Sequence, residues 1–251
     1  MIVILISLLC LMVAAIGVFF LGLKKRHIDI WLWSYLKGPK KRHKRLDKTK
    51  ATPVHLMFCF VDHYEPLVQK VSDEKGMERV EKWMALYPPL ADAHLDSEGV
   101  PVQHTYFYPQ DEYREQHVNG IEHLCRMGYG ELEIHIHHRH DTDLTFTKKM
   151  TDFINILVDK HEALSFIDGK PQFGFIHGNW ALDNSRPDGD WCGVNNELQV
   201  LDEIGCYADF TLPSAPSDTQ TSTINSIYYA TDDPDKPKSH DKGLPVRCGT
   251  V

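Results

Sequence analysis

The sequence predicts an α/β fold, parallel strands with helices outside, behind an N-terminal transmembrane helix. Two observations carry this. The first 23 residues, MIVILISLLCLMVAAIGVFFLGL, contain no charge. From Pro53 onward, strand-like apolar runs alternate with stretches of helical period.

The uncharged run comes first. At 1.5 Å per residue it reaches roughly 35 Å, enough for a hydrocarbon core of ~30 Å. No basic residue precedes it and no polar cleavage region follows, so an uncleaved anchor is expected rather than a signal peptide. Residues 24–50 then carry eleven Lys/Arg against Asp29 and Asp47, a net of +9. Residues 51–251 hold the other 16 basic and 33 acidic residues, a net of −17. Three parts follow: an anchor at 1–23, a polybasic juxtamembrane linker at 24–50 and a domain at 51–251. Lys24, Lys25 and Arg26 directly after the span place that domain in the cytoplasm by the positive-inside rule. The run KGPKKRHKRLDKTK (37–50) suits anionic headgroups. Nucleic acid is not the expected partner, because the run abuts a span and the body of the chain is acidic. The six cysteines form no C-x-x-C pair, which argues against a zinc ribbon or a disulfide framework.

Along the domain, VHLMFCFV (54–61) is an apolar run of strand length. Ser72 can cap a helix reaching Leu86, with Val80, Trp83, Met84 and Tyr87 on one face. HTYFY (104–108) is aromatic and β-prone. Asp111–Met127 has helical period and Gly128 can end it. ELEIHIHH (131–138) alternates with period two. Phe146–Leu164 places Met150, Phe153, Ile154, Leu157 and Val158 at helical spacing. DGK (168–170) turns the chain into PQFGFIH (171–177). A helix over Asn195–Ile204, stopped by Gly205, leads to YADFTL (207–212). Residues 213–245 read as a long loop. The alternation argues for parallel strands in an open sheet or a barrel, whose working end is the C-terminal end of the strands.

Ligand-type side chains collect at that end: Asp62, His63 and Glu65 after the first strand, then His135, His137, His138, His140 and Asp141, then His177, Asn179 and Trp180, and Asp209 in the fifth strand. Residues two apart on a strand share a face, so His135 and His137 project together and His138 opposes them. Imidazoles with a carboxylate suit a divalent ion, zinc first and cobalt or nickel next.

The order FCFVDHYEP, HTYFYP, IEHLCRMGYGELEIHIHHRHDTDL resembles the polysaccharide deacetylase family (NodB-homology, carbohydrate esterase family 4). The likeness spans residues 54–146 and extends more loosely to 212. It implies a distorted (β/α) barrel and metal-dependent removal of N- or O-acetyl groups from a sugar or polysaccharide. Aligned without gaps, the family's Asp-Asp pair falls on Asp62, the base, and His63, a metal ligand. Its two metal histidines, four residues apart, fall on His137 and Asp141. The expected ligands are thus His63, His137 and Asp141. His177, or else His240, would be the acid. A backbone N–H near Tyr108 would receive the oxyanion, and Asn179 and Trp180 would contact the sugar. The family's Arg-Pro-Pro segment and late Leu-His motif have no clear counterparts here. The competing reading is a non-catalytic, membrane-tethered glycan-binding protein on a degenerate deacetylase fold. Many family members work outside the membrane, which opposes the orientation drawn from charge.

Overall fold

The computed structural model describes residues 2–38 and 56–246. The chain divides into two compact units. The smaller comprises Met1–Val54, Leu212–Thr231 and His240–Val251, and the larger His55–Thr211 and Asp232–Ser239. Most of the polybasic run lies outside the described residues.

The smaller unit opens with α1 (Ile2–Lys25), whose last turn carries Lys24 and Lys25. It is long and apolar enough to cross a membrane, and none of Ile6–Lys25 is buried. A short 3-10 turn and α2 (Leu32–Lys37) follow.

The larger unit is a mixed α/β body on a mostly parallel sheet. Its elements are β1 (Phe60–His63), α3 (Asp73–Asp92), β2 (His104–Pro109), α4 (Glu115–Arg126), β3 (Gly130–Ile136), α5 (Asp143–Asp159), β4 (Ser165–Ile167), β5 (Lys170–His177), α6 (Glu197–Glu203) and β6 (Cys206–Asp209). Strands β1, β2, β3, β5 and β6 lie side by side in sequence order, all parallel, and β4 pairs antiparallel with β5. Among the described residues β1 and β6 are not paired with each other.

Strand alternation assigns the two faces. Tyr106, Tyr108, Ile134, Ile136, Phe173 and Phe175 join one buried cluster with Val80 of α3, Ile121 of α4, Phe146 and Met150 of α5 and Val200 of α6. That face takes the helices. The intervening residues Phe107, Glu133, His135 and Ile176 point the other way and are also buried. The sheet therefore has a helix-covered apolar face and a second buried face that carries polar groups.

Several elements depart from their expected bounds. The first strand begins only at Phe60; Leu56, Met57 and Phe58 are exposed and irregular, and residues 54–55 lie outside the described residues. Helix α3 starts where Ser72 accepts the Lys75 N–H (3.3 Å) and runs on through Pro88 and Pro89. Its buried face continues there: Tyr87 and Ala91 are covered, and the Tyr87 hydroxyl donates to the Val102 carbonyl (2.8 Å). Asp111 sits in a 3-10 turn, with α4 starting later at Glu115. Strand β4 was not expected. Asp168 (φ 51°) and Gly169 (φ 78°) form a two-residue turn with both φ positive, the geometry that closes a tight hairpin. Among the described residues Cys10, Cys59, Cys125, Cys192 and Cys206 are free. The expected loop at 213–245 contains a second hairpin, β7 (Tyr228–Ala230) with β8 (Gly243–Pro245).

Helix α5 begins at a reciprocal cap. Thr142 Oγ1 accepts the Thr145 N–H (3.2 Å), and Thr145 Oγ1 accepts the Thr142 N–H (2.9 Å). Thr142→Ala removes half of this box, and chemical denaturation of the full chain should show a loss of about 1 kcal/mol.

Candidate metal centre

Three parallel strands deliver their C-terminal ends to one place. His63 closes β1, and Glu65 follows in a loop that Arg79 of α3 pins by donating to the Pro66 (2.8 Å) and Val68 (3.0 Å) carbonyls. Asp111 follows β2. His135 lies in β3 and His137 just past it.

Glu65 Oε1 is the point of convergence. His135 Nε2 lies 3.1 Å from it, and His63 Nδ1 and His137 Nε2 lie 3.5 Å from it. The His63 and His135 ring centroids are 4.4 Å apart, and those of His135 and His137 4.7 Å. Metal bonds of about 2.0–2.1 Å in a tetrahedron set ligand atoms roughly 3.3 Å apart, so these are distances a shared ion would hold. The potential ligand atoms of His63, Glu65 and His135 all lie within 4.8 Å of one another, a group that does not include His137, which joins it through Glu65.

The outer ring nitrogens fix the chemistry. His135 donates its Nδ1–H to the Ile176 carbonyl (3.1 Å), so a neutral ring directs an Nε2 lone pair at the Glu65 carboxylate. Burial holds the His135 pKa below the usual histidine value and so favours that neutral ring. Nε2 can meet that carboxylate in two ways: through a proton that it donates to Glu65, or through a cation that takes the proton's place. His137 is anchored likewise. Its Nδ1 lies 3.2 Å from Asp111 Oδ1, which also accepts the His137 backbone N–H (3.0 Å). Burial alone would lower the His137 pKa, yet Asp111 and Glu65 outweigh it and raise it to about 10. Burial alone would raise Glu65, yet its three imidazole contacts hold it well below the ordinary carboxylate range. Rings tied back through one nitrogen, with the other aimed at a common point, are the usual setting of metal-bound histidine. Gly178 permits it: a Cβ there would meet His137 Cδ2 at 2.5 Å and the Ile136 carbonyl oxygen at 2.7 Å.

A second group lies on the helix side. His138, His177, Cys192 and Glu197 are buried, and their ligand atoms fall within 4.8 Å of one another, so they too could hold a metal ion. Their hydrogen bonds suit an ion less well. His177 Nδ1 accepts from the Asn179 (3.2 Å) and Ala181 (3.3 Å) N–H groups, so a neutral ring carries its proton on Nε2, 3.8 Å from Glu197 Oε1. An ion would have to displace that proton. Burial and the Glu197 charge push the Cys192 thiol up, away from thiolate, and it donates to Glu197 Oε2 (3.3 Å). Glu197 also lies 3.0 Å from His138 Nε2 and accepts the Asp183 N–H (2.6 Å).

These two groups divide the residues expected from sequence. His63 and His137 come together with Glu65. Asp141 joins the second group: its carboxylate lies 3.2 Å from His138 Nδ1 and accepts from Lys149 Nζ (2.7 Å) and Thr145 Oγ1 (2.7 Å). Asp62 alternates with His63 and lies 3.4 Å from His104 Nε2, on the helix side. His177 is fully buried, and burial pushes its pKa down to about 3, so it is a poor proton donor near neutrality. Tyr108 is a core residue whose hydroxyl donates to the Glu112 carbonyl (3.1 Å). Asn179 Oδ1 accepts the His138 N–H (3.1 Å), and Trp180 is exposed in the turn after β5. His240 belongs to the smaller unit. Sequence reasoning noted Glu65 at the end of the first strand but gave it no role, and it missed Asp111, also an acid just past a strand end.

No protein-family model, curated protein or solved structure matches the chain.

The two acids that flank the histidine run separate in a test. Asp111→Ala should weaken zinc binding about 10–100-fold, as loss of a ligand's outer partner does. Asp141→Ala should leave zinc affinity unchanged in the same chelator competition.

Proposed function

We propose that the chain is a membrane-anchored, metal-dependent hydrolase that removes acetyl groups from an N-acetylated or O-acetylated sugar. The observation that carries this reading is the convergence of His63, His135 and His137 on Glu65 Oε1, with His135 and His137 tied back through Nδ1. The order of motifs shared with the polysaccharide deacetylases supplies the reaction and the substrate class.

The three imidazoles hold the ion, zinc by preference, with cobalt or nickel accepted by the same donors. Such an ion, when bound, polarises an acetyl carbonyl and acidifies a water. Glu65 is the carboxylate beside it that takes the water's proton, a task the resemblance gives to Asp62. Asp111 and the Ile176 carbonyl keep two of the rings in the tautomer that offers Nε2. Trp180, exposed past β5, offers a face for a sugar ring.

We also read the sheet as part of a distorted (β/α) barrel, its interior being the face of Phe107, Glu133, His135 and Ile176. Strands in sequence order with helices on one face support this. The basic flank after α1 supports a cytoplasmic domain. A phosphatase fused at the C-terminus should then stay inactive in cells; activity would put the domain outside.

Elemental mass spectrometry of the full chain should find one equivalent of divalent metal, lost in His63→Ala and in His137→Ala. Glu65→Gln should keep the ion and lose about 10²–10⁴-fold in deacetylation of an N-acetyl sugar oligomer. Loss of the ion in Glu65→Gln would make Glu65 a ligand instead of the base. No metal in the folded wild type would sink the hydrolase and leave the glycan-binding reading.

A further inference from the structure

In the smaller unit the hairpin of β7 and β8 has two unlike faces. Its register sets Tyr229 opposite Leu244. One step along, the Val246 N–H donates to the Ile227 carbonyl (2.8 Å). Residues two apart on a strand share a face, so Ile227, Tyr229, Leu244 and Val246 stand together. They are 80%, 70%, 74% and 45% exposed. Four adjacent apolar side chains in the open mark a contact surface better than they mark chance.

The opposite face turns inward. The Tyr228 hydroxyl donates to the His240 carbonyl (2.9 Å). With Trp31 and Tyr35, Tyr228 lines a cavity of about 430 Å³. Trp31 and Tyr35 belong to the short segment that follows α1, so the hairpin and that segment line the same cavity. Trp33 and Leu36 of the same segment are exposed as well. The cavity itself is a poor sugar site. Gln220 accepts the Ser214 and Ala215 N–H groups and donates to the Thr221 carbonyl, and Thr223 donates to the Asp241 carbonyl, so two of its polar side chains are already engaged.

We propose that the face of Ile227, Tyr229, Leu244 and Val246 is a membrane-contact surface, seated where headgroups meet acyl chains in the bilayer that α1 crosses. The choice of a lipid partner rests on the shared compact unit: one apolar element built to enter a bilayer lies with a second apolar face and an aromatic segment of the kind that settles at an interface. The hairpin's own ladder already pairs the backbone groups that such a position would take out of water. The proposal depends on α1 as a membrane helix and not on the hydrolase.

The test uses the full chain in vesicles of phosphatidylcholine and phosphatidylglycerol, doped with a phospholipid carrying a diazirine on its acyl chain. After photolysis, peptide mass spectrometry should find adducts on α1 and also on residues 227–229 and 244–246. Ile227→Lys combined with Leu244→Lys should lose the hairpin adducts and keep those on α1, which also reports that the anchor still inserts. Adducts confined to residues 2–37 of the wild type would overturn the proposal. So would a bifunctional cross-linker that joins two copies through Tyr229 or Leu244 without lipid adducts there, which would make the face a dimer contact. Absence of adducts on α1 would sink the membrane-helix reading and this one with it, leaving the metal reading untouched.

Discussion

The candidate centre depends on one register. His135 of β3 pairs with Ile176 of β5, and that pairing puts the imidazole Nδ1–H against a carbonyl it must donate to. Because strand side chains alternate, a slip of one residue would send His135 to the helix face and bring Ile134 or Ile136 into its place. The register is held from the other side by apolar burial. Ile134, Ile136, Phe173 and Phe175 are all covered by helices, and a slip would expose the whole set to polar surroundings. The apolar face of the sheet thus fixes the tautomer of a histidine on the opposite face.

The same alternation makes the two polar groups mutually dependent. His137 and His138 are neighbours, yet His137 turns to Glu65 and Asp111 while His138 turns to Glu197 and Asp141. The chain between them is held at the Asn179 side chain, which accepts the His138 N–H, and at Gly178, which donates to the Ile136 carbonyl (2.7 Å). Buried carboxylates are costly unless paired, and Glu197 meets His138, Cys192 and the Asp183 N–H. Glu197, paired in this way, holds His138 and with it the segment that carries His137, although His177 Nε2 beside it has no hydrogen-bond partner among the described residues.

How much of this was legible in the sequence depended on which regularity was used. The period of two in EIHIHH is a property of the strand itself, and it put His135 with His137 and His138 opposite. The spacing of four borrowed from the deacetylases led instead to Asp141. That spacing, from His137 to Asp141, lies wholly past the end of β3 at Ile136, where the path is set by contacts far away in sequence. The Asp141 N–H donates to the Cys192 carbonyl (3.0 Å), and Gly193, at φ 99°, allows that approach. No local pattern announces such a contact. Glu65 and Asp111 were visible as acids past strand ends, but their role follows from β1, β2 and β3 lying side by side, which the sequence left open between a sheet and a barrel. The Asp-Gly pair before β5 is a hairpin signal in its own right, but the three-residue strand ahead of it is too short to show a period.

Two clusters could hold an ion, and proximity does not choose between them. Proton placement does. At His177 two backbone N–H groups claim Nδ1, so the proton faces inward. At His135 a carbonyl claims the proton, so a lone pair faces inward. A ring of the first kind faces Glu197 at 3.8 Å without a hydrogen bond, and it cannot bind a cation without first being stripped of its proton. A ring of the second kind, beside an ionised carboxylate, can take either a proton or a cation at Nε2 without disturbing the bond that its Nδ1–H makes. The backbone around each histidine, more than the number of ligand atoms nearby, separates the two candidates: a lone pair faces inward at the end of β1 and β3, and a proton faces inward in the helix-side cluster.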